Sequence, residues 1–349
     1  MEKIDVKRNY ACDVIRALAI TLVLTIHAFS FKASDGASVL QEGILCLAKM
    51  AVPLFLLLTG YLNNRKTVED YYVKGKWKGC FRVLLAYIAL GSLCYIGSVC
   101  MGREADVVDY VKQTLAFKLT PYGWYIEMWV GLFFLTPFFN IIFNNLDKKS
   151  ENLLLVSLLL LSSFALFINR NGNTILPSFW MYLWPVTLYF LGAYLSHNSV
   201  KVRKRVLFIV LLVVAFGEPL LNIIVHSKTY LYFWGGQDGI IYLISAFVVF
   251  AFILDKCKNI HLNNLYLGGV ILISKQSLNM YLISALFDSV GRHFLKEQLS
   301  VSTIAVIPYL FVLLFFSFVC SLIVSCLYDK ISRKILYLTN YCLKEDGGN

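Results

Sequence analysis

Apolar runs of roughly twenty residues recur from one end of this chain to the other, separated by short polar segments. A helix needs ~20 mostly apolar residues to cross the hydrocarbon of a bilayer. Inside hydrocarbon the backbone must satisfy its own hydrogen bonds, and apolar runs of this length do so as helices. The expected fold class is therefore all-α, a polytopic integral membrane protein with about ten transmembrane helices. The candidate spans are 12–31, 41–62, 80–101, 122–143, 152–168, 179–197, 206–226, 239–254, 267–288 and 303–327, forming a single transmembrane domain over residues 1–349. Composition points the same way, with 58% hydrophobic and 15% charged residues. A soluble domain is about 45–50% apolar and about 25% charged, so a soluble helical bundle is excluded.

The formal net charge is +11, from 32 basic and 21 acidic residues. Most Lys and Arg fall before the first span, between even and odd spans, and after the last one. Basic residues are retained in cytoplasmic loops, so this asymmetry predicts an N-in, C-in topology and an even number of helices. It also accounts for the charge without nucleic acid, for which no motif is present. Nine cysteines lie mostly within apolar runs, where a thiol behaves as a small hydrophobe. No C-x-x-C occurs and no Cys/His group has zinc-ligand spacing, so no metal is expected. The first run carries Asp13 and Arg16 and lacks a small-residue cleavage site, so it is expected to remain a span.

Ionisable residues inside hydrocarbon are costly and mark function by default. Arg16 and His27 are eleven residues apart, which at 3.6 residues per turn is about three turns, so both project from one face ~16 Å apart along the axis. Asp13 lies one turn before Arg16, close enough to pair with it. With the N-terminus inside, Arg16 sits toward the cytosol, where a cation can hold a phosphorylated donor. His27 sits farther out, where an imidazole can take a proton from an acceptor hydroxyl or carry an acyl group itself. The plain alternative is an anchoring Asp13–Arg16 pair and a histidine bonded to a neighbouring helix.

The Arg-x10-His arrangement of Arg16 and His27, preceded by Asp13, resembles the signature of the acyltransferase-3 family of integral membrane acyltransferases. The resemblance continues through Val52–Tyr61 (Val-Pro-Leu-Phe-Leu-Leu-Leu-Thr-Gly-Tyr), Arg82, Gly123-Trp124-Tyr125 through Pro137, Phe190–Tyr194 and Ser277-x3-Tyr281-Leu282-Ile283. It departs at Gly79, three residues before Arg82, where the family often has a second basic residue, and at Ser284, where it often has His. The family implies about ten helices, acyl-CoA (usually acetyl-CoA) as donor substrate with no bound cofactor, and O-acylation of surface glycans or related acceptors. It implies a multi-pass protein of the bacterial plasma membrane.

On that footing Arg16, Arg82, Lys275 and Asp13 are expected around the donor, with snorkelling as the rival role for Lys275. His27 is the expected catalytic residue. Glu127, at a similar depth in span 4, orients the imidazole or faces an aqueous vestibule. Trp124 and Tyr125 form either an aromatic belt or, with Tyr281, a platform for the acceptor. Glu218 and Asp288 are expected as interface or cavity acids, and Lys49 has no evident partner. The turn Phe233–Gly239 is expected near the acceptor. Two rivals remain: a transporter or flippase of a lipid-linked glycan, which also needs buried charges, and a polysaccharide polymerase or ligase, which would need a larger outer loop.

Overall fold

The computed structural model describes residues 8–30, 38–64, 67, 69, 76–169, 175–224, 236–257, 264–295 and 305–345. Among the described residues there is no strand. The helices are α1 (Tyr10–Phe29), α2 (Val39–Ala48), α3 (Ala51–Asn63), α4 (Lys76–Cys100), α5 (Val107–Leu115), α6 (Trp124–Asn144), α7 (Lys148–Leu159), α8 (Ala165–Ile168), α9 (Trp184–His197), α10 (Lys204–Ile224), α11 (Ile240–Cys257), α12 (Asn264–Phe294) and α13 (Ile307–Glu345). A widened turn at Leu160–Phe164 joins α7 to α8, and a tight turn at Phe179–Leu183 leads into α9. Eight helical segments are long and apolar enough to cross a membrane, with α2–α3 and α7–α8 each acting as one. The 14-residue α9 and the 21-residue α10 stand at the other two expected spans. The protein is thus an all-α, polytopic membrane protein. Residues 31, 225–226 and 303–304 of the expected spans lie outside the described residues.

Three local features differ from the sequence expectation. The second span is broken at Lys49–Met50. In one continuous helix the N–H of residue 53 would bond the carbonyl of residue 49. Pro53 has no N–H, and as the third residue of α3 it sits in the first turn, where the loss is tolerated. Second, α5 occupies a segment expected to be a plain loop. Its Val107, Val108, Val111 and Leu115 are exposed on one face, as in a helix lying in the membrane interface. Third, α12 and α13 run well past the expected ends.

Hydrogen bonds define the two ends of the bundle. At one end the C-termini of α3, α6 and α9 meet: Asn144 Nδ2 donates to the Asn64 carbonyl at 3.0 Å, and Asn64 Nδ2 lies 2.9 Å from His197 Nε2. At the other end the C-termini of α1 and α12 meet the start of α6, through His27, Arg292, Asp288 and Tyr122. Consequently α1 and α12 run antiparallel to α3, α6 and α9. The interior is packed by Ile20, Leu24, Leu54, Leu57, Tyr87, Leu90, Tyr189 and Phe250, all essentially without exposure. Many outward side chains are large and apolar, among them Phe81, Ile88, Phe134, Phe138 and Phe315, a face suited to lipid.

Helices α3 and α9 cross with their backbones in contact. A Cβ on Gly60 would lie 1.9 Å from the Tyr189 carbonyl oxygen, and one on Gly192 would lie 2.0 Å from that of Leu57. Small residues permit such approach between membrane helices. Gly60 and Gly192, two of the glycines in the quoted motifs, are therefore packing residues.

Candidate active site

Helix α1 starts at Asn9, whose side chain accepts a hydrogen bond from the Ala11 N–H at 3.1 Å, an N-cap of ordinary form. Asp13, in its first turn, is buried but not paired with Arg16. It accepts from Arg8 Nε at 2.6 Å, Arg8 Nη2 at 2.9 Å and Ser274 Oγ at 2.7 Å. Arg8 satisfies both oxygens in a fork and so takes the partner that the one-turn spacing offered to Arg16. Arg16 makes no hydrogen bond or ion pair with any described residue.

Arg16 lines a cavity of about 370 Å³ between α1, α3, α4, α6 and α12, with Val23, Phe55, Thr59, Asn63, Val83, Tyr125, Trp129, Ser277 and Tyr281 among its walls. That volume lies within the range of about 300–1,000 Å³ usual for small-molecule sites. Apart from Arg16 the lining is mainly aliphatic and aromatic, with hydroxyl and amide groups from Thr59, Asn63 and Ser277. A cation without a direct ion pair at the edge of an apolar cavity can bind an anion with little competition from water.

The opposite end of the cavity is roofed by tyrosines. The rings of Tyr125 and Tyr281 lie 5.4 Å apart, those of Tyr281 and Tyr122 lie 5.9 Å apart, and Tyr281 OH donates to the Tyr122 carbonyl at 2.6 Å. Behind this roof Tyr122 stacks on the imidazole of His27, with ring centroids 3.8 Å apart and planes 16° from parallel. Val23 lines the cavity one turn before His27 on α1, so the imidazole stands just beyond the cavity's end.

Tyr122 is itself fixed. Its hydroxyl donates to Asp288 Oδ2 at 2.7 Å, and Ser317 Oγ donates to Asp288 Oδ1. Arg292, one turn farther along α12, donates to the His27 backbone carbonyl. None of these groups bonds a ring nitrogen of His27, and no other described group does. The imidazole is thus held by the stacked Tyr122 ring and by its backbone, and its ring nitrogens have no hydrogen-bond partner among the described residues.

The remaining expected residues are distributed as follows. Tyr125 and Tyr281 line the cavity and are buried. Trp124 is 37% exposed and packs edge-on against Tyr125. Glu127 is exposed in the first turn of α6, and the side chain against His27 is Tyr122. Arg82 and Lys275 are exposed and do not line the cavity. Within the Phe233–Gly239 turn, residues 233–235 lie outside the described residues.

Two clusters escaped the sequence reading. Tyr122 adjoins the Gly123-Trp124-Tyr125 motif but carries no signal of its own, and Arg292 counts there as an outer-loop charge. Lys49 finds its partner far along the chain: its Nζ lies 3.3 Å from Glu218 Oε2 and 3.1 Å from Tyr242 OH, which in turn donates to Glu218 at 2.5 Å.

Comparisons with curated proteins and with solved structures found no match. The sequence model of the family described as Acyltransferase domain matches residues 9–326, from the N-cap of α1 into α13. That stretch contains the Arg16 cavity, the tyrosine roof and His27, and the chain belongs to the acyltransferase-3 family: it is a multi-pass membrane acyltransferase.

Proposed function

We propose that this acyltransferase moves an acetyl group from cytosolic acetyl-CoA to a hydroxyl of a surface or lipid-linked glycan, in the plasma membrane of a bacterial cell. The observation that carries the reading is Arg16, a cation with no hydrogen bond or ion pair to a described residue, at one end of a cavity whose other end abuts His27. The phosphates of the donor sit at Arg16, and its thioester arm lies along the cavity toward the tyrosines. The ~16 Å between Arg16 and His27 along α1 sets the distance that arm must cover.

In the direct form of the reaction, a His27 ring nitrogen takes the proton of the acceptor hydroxyl as the oxygen attacks the thioester carbonyl carbon. A C–O bond forms, the tetrahedral intermediate collapses, and the C–S bond breaks. The leaving thiolate recovers the proton from the imidazolium, so no net proton is gained or lost. Asp288 acts through the Tyr122 hydroxyl, which keeps the ring that faces the imidazole in place. An acyl-histidine relay uses the same residue in two steps. Arg82 and Lys275, exposed in the structure, serve the donor only by way of its approach.

The test uses membranes bearing wild type or His27→Ala, supplied with acetyl-labelled acetyl-CoA and the host's own glycans. Label is expected in extractable polysaccharide or glycolipid with wild type and none with His27→Ala at equal expression. Equal labelling by both would remove His27 from the chemistry. No labelling by either, with no CoA binding, would end the acetyl-transfer reading.

A further inference from the structure

The acyl-transfer scheme leaves the part-buried cation Arg292 unused. Arg292 lies in the last turn of α12, one turn beyond Asp288. Its Nη2 donates to the His27 carbonyl, while its Nε–H is buried without a hydrogen-bond partner. Asp288 attracts it from one turn away but makes no ion pair with it, its oxygens being taken by Tyr122 and Ser317. No ion pair joins Arg292 to any described residue.

Two ordinary explanations account for only part of this. A cation in the last turn of a helix complements the helix dipole, and an arginine near a membrane surface commonly extends its head to water. Arg292 is instead part-buried and turned back onto α1, with a donor left over. A guanidinium offers five donors in a planar fork, and its strongest partners are carboxylates and phosphates. An unpaired guanidinium beside the imidazole therefore marks an anion subsite on the far side of the tyrosine roof from Arg16.

We propose that Arg292 binds an anionic group of the acceptor, a sugar carboxylate or a phosphate, and so presents a neighbouring hydroxyl of the same molecule to His27. The presentation of the hydroxyl rests on the acyl-transfer reading; recognition of the anion does not. The two unpaired arginines then divide the substrates, Arg16 holding the donor and Arg292 the acceptor. A neutral glycan lacks the group that Arg292 recognises and is the poorer acceptor.

The experiment follows the melting temperature of the purified full-length protein in detergent with added glucuronate, inorganic phosphate or glucose. It compares wild type, Arg292→Lys, Arg292→Gln and Arg16→Gln, with acetyl-CoA binding measured on each. Glucuronate or phosphate is expected to raise the wild-type melting temperature, and glucose is not. The shift is expected to survive in part in Arg16→Gln, which removes anion bound at the donor end, to weaken in Arg292→Lys, where a point charge replaces the fork, and to fall in Arg292→Gln to what Arg16 alone binds. A shift with glucuronate alone identifies an acidic sugar, one with phosphate alone a phosphorylated or lipid-linked acceptor, and one with both the shared chemistry. The proposal is overturned by an undiminished shift in Arg292→Gln, by an equal shift with glucose, or by no shift with either anion in wild type. Should Arg292→Gln lose acetyl-CoA binding and so its fold, Arg292→Lys decides, and an undiminished shift there overturns the proposal. Failure of wild type to bind acetyl-CoA removes the donor reading and leaves the anion shift to be judged alone.

Discussion

Lys49 and Arg16 each carry a positive charge inside the bundle, and their surroundings are opposite. Lys49, at the break between α2 and α3, is held by Glu218 and Tyr242 on α10 and α11, with Glu218 almost completely buried. Arg16 faces a cavity with no hydrogen bond or ion pair to a described residue. Burying an ion pair costs desolvation that its attraction roughly repays, so such a pair adds little net stability while it stays whole. A lone cation at a cavity pays the same kind of cost with no internal return, and its return comes from a ligand. The first arrangement fixes helices, and the second suits the anion of the proposed donor.

Separating the two roles begins with Lys49→Met. Leaving Glu218 buried without its cation is expected to cost ~3–5 kcal/mol, read as a large fall in melting temperature in detergent. The double variant Lys49→Met/Glu218→Gln is expected to recover most of that loss, and a double variant no better than the single one would refute the pairing. Arg16→Gln is expected to behave in reverse. Hydrogen bonds to a charged group contribute roughly 1.5–3 kcal/mol, so CoA affinity falls about 10–100-fold while the melting temperature holds or rises. An Arg16→Gln protein that binds CoA normally but melts early would make Arg16 a structural residue like Lys49.

An uncharged contact supplies the third case. Gly192→Ala places a methyl group where the Leu57 carbonyl already stands. The expected cost is about 1–3 kcal/mol of overpacking, visible as a lower melting temperature with CoA affinity lost only in proportion to folded protein. The smallest effect belongs to a surface charge. Asp147 caps α7, and the hydrogen bonds from Ser150, side chain before backbone, hold its carboxyl below the usual carboxylate range. Its folded pKa is depressed, so its contribution is present above the ordinary carboxylate pKa and disappears as pH falls through the folded value. Asp147→Ala should therefore lower the melting temperature slightly at neutral pH and leave it unchanged at strongly acid pH. A difference that persists in acid would place the effect outside the cap.

The helices were legible because each apolar run carries its own length and period. The alignment of Arg16, Val23 and His27 on one face of α1 follows from the helical repeat alone. Contacts between helices had no such local signal. Lys49 and Glu218 are 169 residues apart, and nothing in either run says that α2 packs on α10. Sequence spacing gave Asp13 to Arg16, whereas Arg8, just before the N-cap Asn9, bends back to take it. Arg292 read as a loop charge because apolarity falls off before it, although α12 continues for another two residues. Tyr122 opens the expected fourth span but lies just before α6 in the structure, so helical periodicity could not aim the ring that meets His27. The helix α5 was missed because its apolar face is only four residues, too short a pattern to distinguish from a loop.

The contact between α3 and α9 has a mechanical consequence. Two backbones touching through Gly60 and Gly192 leave no slack for sliding, so the wall that α3 gives to the cavity behaves as one stiff plate with α9. On the proposed acyl-CoA reading, the widening that admits the donor falls to the other walls, and among them to α4 and α6. Those helices turn Phe81, Leu85, Ile88, Phe134 and Phe138 outward, so parting them displaces acyl chains rather than protein. On that reading bilayer thickness and lateral pressure, through the cost of deforming the lipid around α4 and α6, would set part of the barrier to donor entry, and the surrounding membrane would work as a spring on the enzyme.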